Sequence, residues 1–288
     1  MSRVKALFGG VVVKLTTLTV GAAYVALSHR RSSGAARLET GGTLRMAIVA
    51  HVYYPELIGE IIDCLEAMPA DTDLIVTVPE NLVGAADIAL AGVTRSRVVP
   101  VVNRGRDVAP FLGLLARGEL EPYDAVLKIH TKRSPHLRDG DIRRKLLLSM
   151  LAGSPRRIAE VRALFEKPKT GIVGWRAAWR RSEAFWMANR TRVVGLAAAM
   201  DTPVACAFFE GSMFWVRPSA LAPMRGLGLT TEEFEAEAGQ LDGALHHAIE
   251  RTFTLSAMAA GYDVLDLSGR PLCEGRAARS VEAQQIDA

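Results

Sequence analysis

The stretch NRGRDVAPFLGLLARGELEPYDAVLKIHTKRS, Asn103 to Ser134, decides how the rest of the chain is read. A polar turn containing a glycine leads into an apolar helical pattern over Val108 to Leu115. A second polar turn follows, then DAVLKIH, a short strand pattern that ends in Lys128, His130, Lys132 and Arg133. Residues two apart on a strand point the same way, so Lys128, His130 and Lys132 are expected to form one cationic stripe at the strand's tip. The plain alternative is a solvated basic loop.

Outward from this unit the same rhythm repeats. LRMAIVAHVY (44–53) is a short apolar run of the kind a buried parallel strand produces. Pro55 opens the helical segment ELIGEIIDCLEAM, where Leu57, Ile61, Ile62 and Leu65 share a face. DLIVTVP reads as a strand, Asn81 to Ala91 as a helix and SRVVPVVN as a third strand. Further on come a helix over Pro155–Phe165, the strand TGIVGW, a tryptophan- and arginine-rich stretch and the strand CAFFEGSMFWV. A long helix is expected from Asp242 to Ala259, with Leu241, Leu245, Ile249, Thr252 and Leu255 on one face. Strand–helix alternation of this kind predicts an α/β fold built on a mostly parallel central sheet flanked by helices. Ligands of such sheets gather beyond the carboxyl ends of the strands. That rule should bring Asn103–Asp107, His130–Ser134 and Glu210–Ser212 together.

Composition sets the remaining bounds. The 288 residues carry a formal net charge of +4, a mild excess that suits an anionic ligand or membrane face. With no finger spacing, aromatic–basic RNA motif or long basic block, nucleic acid is not an expected partner. Cys64, Cys206 and Cys273 are an odd number without metal-like spacing and read as reduced thiols, which fits a cytoplasmic location. ALFGGVVVKLTTLTVGAAYVAL, Ala6 to Leu27, has about the length of a membrane span but is interrupted by Lys14. A membrane anchor or interfacial helix at the inner face of the cell membrane, a poorly ordered extension and a cleaved signal all stay open. The expected division is an apolar segment and linker over 1–43, an α/β domain over 44–274 and a polar tail over 275–288.

Six collinear blocks carry a resemblance: HVYYPEL (51–57), NRGRDVAPFL (103–112), YDAVLKIHTKRS (123–134), GIVGW (171–175), FFEGSMFWVRPSAL (208–221) and GQLDGALHHAIER (239–251). They resemble the rhamnan synthesis protein F family, bacterial polysaccharide rhamnosyltransferases with a GT-A-like glycosyltransferase fold. The resemblance implies transfer of rhamnose, or another deoxyhexose, with inversion from a nucleotide diphosphate sugar such as dTDP- or GDP-rhamnose to a cell-surface glycan. A non-catalytic subunit of a polysaccharide synthase, binding nucleotide sugar or glycan, is the alternative.

Against that background the candidate residues acquire roles. GT-A enzymes commonly end this strand in D-x-D, which holds Mg or Mn and the sugar pyrophosphate; here the motif is absent, and a metal dependence is doubtful. Lys128, His130, Lys132 and Arg133 are expected to offset the diphosphate charge directly. Gly105 supplies the turn's special backbone, flanked by Asn103 and Arg106, and Asp107 either accepts from the nucleotide or caps the helix. His51 ends the first strand, which the resemblance places near the base. Inverting transfer needs a carboxylate base. Asp242 is the first choice because the resemblance puts the base just before a late helix, followed by Glu237 and Glu210. Asp242, His246 and Glu250 would share a polar helical face. Gly211, Ser212 and Trp215 are expected to line the acceptor side.

Overall fold

The computed structural model describes residues 44–133 and 139–275. The apolar segment 6–27, Ser134 and nearly all of the 275–288 tail lie outside the described residues.

The first half alternates as the periodicity requires. It runs β1 (Met46–His51), α1 (Ile58–Glu66), β2 (Asp73–Pro79), α2 (Val83–Ala89), β3 (Ser96–Val101), α3 (Val108–Ala116) and β4 (Ala125–His130). Two helices follow, α4 (Gly140–Ala152) and α5 (Pro155–Phe165), then β5 (Thr170–Gly174), β6 (Trp179–Arg180) and α6 (Arg190–Ala199). The remainder comprises β7 (Phe208–Phe209), β8 (Phe214–Val216), α7 (Ala222–Arg225), α8 (Leu245–Glu250), α9 (Phe253–Ala259), β9 (Asp263–Asp266) and β10 (Pro271–Cys273).

Eight strands form one sheet in the order β10-β9-β5-β8-β4-β1-β2-β3, with β6 and β7 pairing separately. The β4-β1-β2-β3 half is parallel throughout, while β8 runs antiparallel to both β4 and β5. This is an α/β architecture with a mostly parallel central sheet, compatible with the GT-A class. Both faces are covered. Leu127, Ile129 and Trp215 pack with residues of α1, α4 and α5 on one side. Val126, Phe214 and Phe111 pack with α3, α8 and α9 on the other. Burial on two faces explains why β1 reads as an apolar run rather than an alternating one.

Two expectations are corrected. CAFFEGSMFWV is not one strand: Gly211 (φ +92°) and Ser212 (φ +53°) turn the chain between β7 and β8, which belong to different sheets. The long helix from Asp242 is two short ones, α8 and α9, and Leu241 is 84% exposed rather than part of an apolar face. The periodic leucines predicted one rod, but the chain leaves the helix at Arg251 and Thr252, between α8 and α9. Helix α4 carries Leu146, Leu148 and Leu151 into the core without having been expected.

Candidate functional site

The carboxyl ends of β1 and β4 meet in register, with His51 opposite His130. Thr131 closes the pair: its amide donates to His51 O, and its Oγ1 accepts from the amides of Tyr53 and Tyr54. His51 Nδ1 lies 3.0 Å from Thr77 Oγ1 at the end of β2. Burial, with the charges of His130 and Lys128 adding to it against Asp107, brings the His51 imidazole down to about 4, so it is neutral near pH 7.

The Asn103–Asp107 loop reaches over this edge because two consecutive residues adopt left-handed backbone, Gly105 (φ +64°) and Arg106 (φ +53°). A Cβ at Gly105 would stand 2.5 Å from Phe234 Cδ1 and 2.6 Å from Ala109 Cβ, so glycine is demanded by space as well as by φ. Asp107 occupies the cap position of α3, but its side chain makes no capping bond. Its Oδ2 instead accepts from Lys128 Nζ at 2.5 Å.

Lys128 is the centre of the arrangement. Its side chain is 2% exposed, and Nζ also donates to Ser212 O (2.9 Å) and Ser212 Oγ (2.8 Å). The rings of Phe111, Phe253 and Phe214 surround it with centroids 5.5, 5.5 and 5.9 Å away. Three oxygen acceptors and three aromatic faces satisfy this cation completely. Burial alone would raise the Asp107 carboxyl; the His130 ring, with Nδ1 3.4 Å from Oδ2, and the hydrogen-bonded Lys128 ammonium hold it well below the usual carboxylate range.

The expected cationic stripe is therefore corrected. Lys128 and His130 do share a face of β4 and do face the Gly105 loop. Lys128, however, is neutralised by Asp107, and burial drives the His130 imidazole down, against the pull of Asp107. Lys132 keeps an exposed cation, with its Nζ bordering Gly211, and Arg133 turns to Glu56 and the face of Tyr54. The donor set does not suit a divalent ion: an ammonium lies against Asp107. Among the described residues no group of three His, Cys, Asp or Glu side chains is arranged to hold a metal.

Ser212 bonds Lys128 and Gly211 borders Lys132, and Gly211 N donates to Glu250 Oε1 at 2.7 Å. Burial pushes the Glu250 carboxyl up, against the neighbouring charge of Lys132. Asn103 is exposed at the loop. Trp215 is a correction: it is 0% exposed on the opposite face of the sheet from Lys128, and its Nε1 donates to Leu151 O. It anchors core and cannot line an acceptor.

The carboxylates divide by place. Glu237 stands beside the loop, paired with Arg106 at 3.1 Å, while Arg106 also donates to Gln240 O. Asp242 precedes α8 by three residues and receives bonds from Ala188 N, Asn189 Nδ2 and Arg251. It neither caps nor opens the helix. Glu210 is exposed and paired with Arg180. His246 lies under the loop, 5% exposed, with no hydrogen-bond partner for either ring nitrogen. His246, expected on a polar helical face with Asp242 and Glu250, is buried while Asp242 lies outside α8, and the aromatic box around Lys128 escaped sequence reasoning. The only signal was a lysine in the middle of the apolar run AVLKIH, which by itself announces a buried partner without naming it.

The fold and this strand-tip cluster define an α/β protein of GT-A-compatible architecture with its polar residues gathered beyond the carboxyl ends of the parallel strands. Residues 20–262 match the family model of rhamnan synthesis protein F, and the chain belongs to that family. The chain is also 32% identical over 223 residues to proteins named "Uncharacterized protein WxcX" from two strains of Xanthomonas campestris pv. campestris. The match covers 75% of this chain and 32% of each relative, so the chain spans about a third of the length of these curated relatives. The family's name ties the chain to polysaccharide biosynthesis.

Proposed function

We propose that the chain is a glycosyltransferase that moves rhamnose, or another deoxyhexose, with inversion from a nucleotide diphosphate sugar to a bacterial surface glycan on the cytoplasmic side of the membrane. One observation carries this reading within the family: the Gly105 loop, the tip of β4 and the Gly211–Ser212 turn converge on a single cluster held by Lys128. Lys128 and Asp107 are its rigid floor. Lys132 and Arg106, both cations near its rim, are the groups available to a diphosphate.

In the displacement, the acceptor hydroxyl attacks the anomeric carbon, its proton passes to a carboxylate, and the carbon–phosphate oxygen bond breaks with its electron pair leaving on the diphosphate. We take Glu237 as that carboxylate ahead of Asp242, since its pair with Arg106 sets it beside the Gly105 loop while Asp242 is held by Ala188 N, Asn189 Nδ2 and Arg251. Glu237→Gln should lower turnover by about 100-fold with donor binding retained. Transfer and donor hydrolysis, assayed with dTDP- and GDP-rhamnose, test the reading; absence of both activities and of binding would overturn it.

A second reading, a nucleotide-sugar-binding subunit without catalysis, is favoured by the arginine partner that each of Asp242, Glu237 and Glu210 already holds. Binding without turnover, in the presence of acceptor glycan, would decide for it.

A further inference from the structure

Charge is not spread evenly over the described residues. Residues 44–133 carry nine lysines and arginines against twelve carboxylates, and residues 170–275 carry the same nine against twelve. Between them, residues 139–169 reverse the sign, with eight cations against four carboxylates. This segment is the helix pair α4 and α5 with the short turn into β5. Its apolar side, including Leu148, Leu151, Ile158, Val161 and Leu164, packs into the core and leaves the polar side to solvent. The local carboxylates do not cancel the excess. Asp139 holds Arg143, Asp141 and Glu60 hold the buried Arg144, and Glu160 is shared by Arg156 and Arg157. Lys145, Lys167 and Lys169 are exposed and form no ion pair among the described residues.

We propose that the outer face of α4 and α5 is a docking surface for an anionic lipid bilayer. The partner follows from charge complementarity. A bilayer with anionic headgroups presents many mobile negative charges in one plane, which suits separate exposed lysines rather than a closed pocket. Each cation held near such a surface strengthens binding about fivefold. The segments on either side, each with an excess of carboxylates, are repelled from it, so the field turns the molecule with this helix pair toward the lipid. Ile142, 41% exposed one turn before Lys145 on α4, offers an apolar side chain to the headgroup boundary. Arg144 Nη1 donates to Lys132 O at 2.7 Å, so α4 abuts the tip of β4. The surface rests on charge and placement; that a membrane-borne acceptor would meet the site from this side rests on the glycosyl-transfer reading.

Vesicle co-sedimentation of the full chain, with no sugar or nucleotide present, tests the surface. The probes are phosphatidylcholine vesicles and vesicles in which about a third of the lipid is phosphatidylglycerol. Binding should require the anionic lipid and vanish near about 1 M salt, where screening acts within about 3 Å. Lys145→Glu/Lys169→Glu should weaken binding about tenfold or more. Arg181→Glu/Arg190→Glu, the same change of net charge placed in the 170–275 segment, should leave it within about threefold. All four side chains are exposed, so both variants should melt with the native protein. Equal binding to the two vesicle types, no binding to either, equal loss from the two double variants, or no loss from Lys145→Glu/Lys169→Glu would each overturn the surface. None of these outcomes bears on the transferase reading, whose failure shows in the sugar assays alone.

Discussion

Replacing Lys128 by Met is the sharpest test of how this site is held together. The substitution keeps a linear side chain of similar reach among Phe111, Phe214 and Phe253, and removes the charge that lies 2.5 Å from Asp107. Asp107 is left ionised and largely buried, with its side chain 13% exposed, and Ser212 O and Oγ lose their shared donor. Removing one partner of a buried ion pair costs about 3–5 kcal/mol, most of it the penalty of the stranded charge. For a domain of this size about 1 kcal/mol corresponds to roughly 2–4 °C in Tm, so K128M should melt about 6–20 °C below the native protein. The companion variants D107N and K128M/D107N complete a cycle. The double variant should be more stable than the sum of the singles by about 0.5–3 kcal/mol, since the second change removes the stranded group. Urea unfolding and calorimetry measure both quantities. A K128M protein within about 1 kcal/mol of the native one, with additive singles, would refute the claim that this lysine is a structural clamp rather than a ligand cation.

The other predictions follow from local geometry. Gly105→Ala must place a Cβ at φ +64° against Phe234 and Ala109, and should cost at least about 1–2 kcal/mol from the backbone alone and lower donor affinity with it, measured by thermal shift with and without nucleotide sugar. Trp215→Phe loses the bond to Leu151 O and core volume, so stability should fall by about 1–3 kcal/mol while ligand affinity of the folded protein is unchanged; selective loss of affinity would restore Trp215 to the site. Stability should fall as pH drops from about 6.5 toward 4. In that window the unfolded chain takes up protons at His51, His130, His246 and His247 that the native state, with each imidazole lowered by burial, refuses. The Asp107 contribution has the same sign but lies lower: present above its unfolded value, it is lost only as pH falls toward its depressed native one. Glu250, raised by burial, opposes this trend above its ordinary value, and a pH-independent urea midpoint between 7 and 4 would contradict the net direction.

Much of the fold was legible because its causes are local. Apolar runs buried on both faces, a proline opening a helix and a glycine-marked turn announce themselves within a few residues, and β1 to β4 with α1 and α3 fall where that grammar places them. The rule that ligands gather beyond strand ends grouped Asn103–Asp107, His130–Ser134 and Glu210–Ser212; the structure brings Asp107, His130 and Ser212 to Lys128, while Glu210 turns to Arg180 and Arg133 to Glu56. Where local signals mislead, a tertiary cause is visible. Leucine spacing from Leu241 to Leu255 is compatible with one helix, but the folded segment breaks at Arg251 and Thr252 and leaves Leu241 in solvent.

The sequence by itself determined the alternating α/β order, the family, and the presence of basic and acidic side chains at the strand tips. Only the tertiary structure decided what those charges do. Alternation along β4 aims Lys128 and His130 at one face, but whether a cation there meets a ligand or a carboxylate depends on Asp107, 21 positions earlier, and on Ser212, 84 positions later. Charge interactions are set by distance and dielectric, and both are properties of the folded neighbourhood rather than of the order of residues.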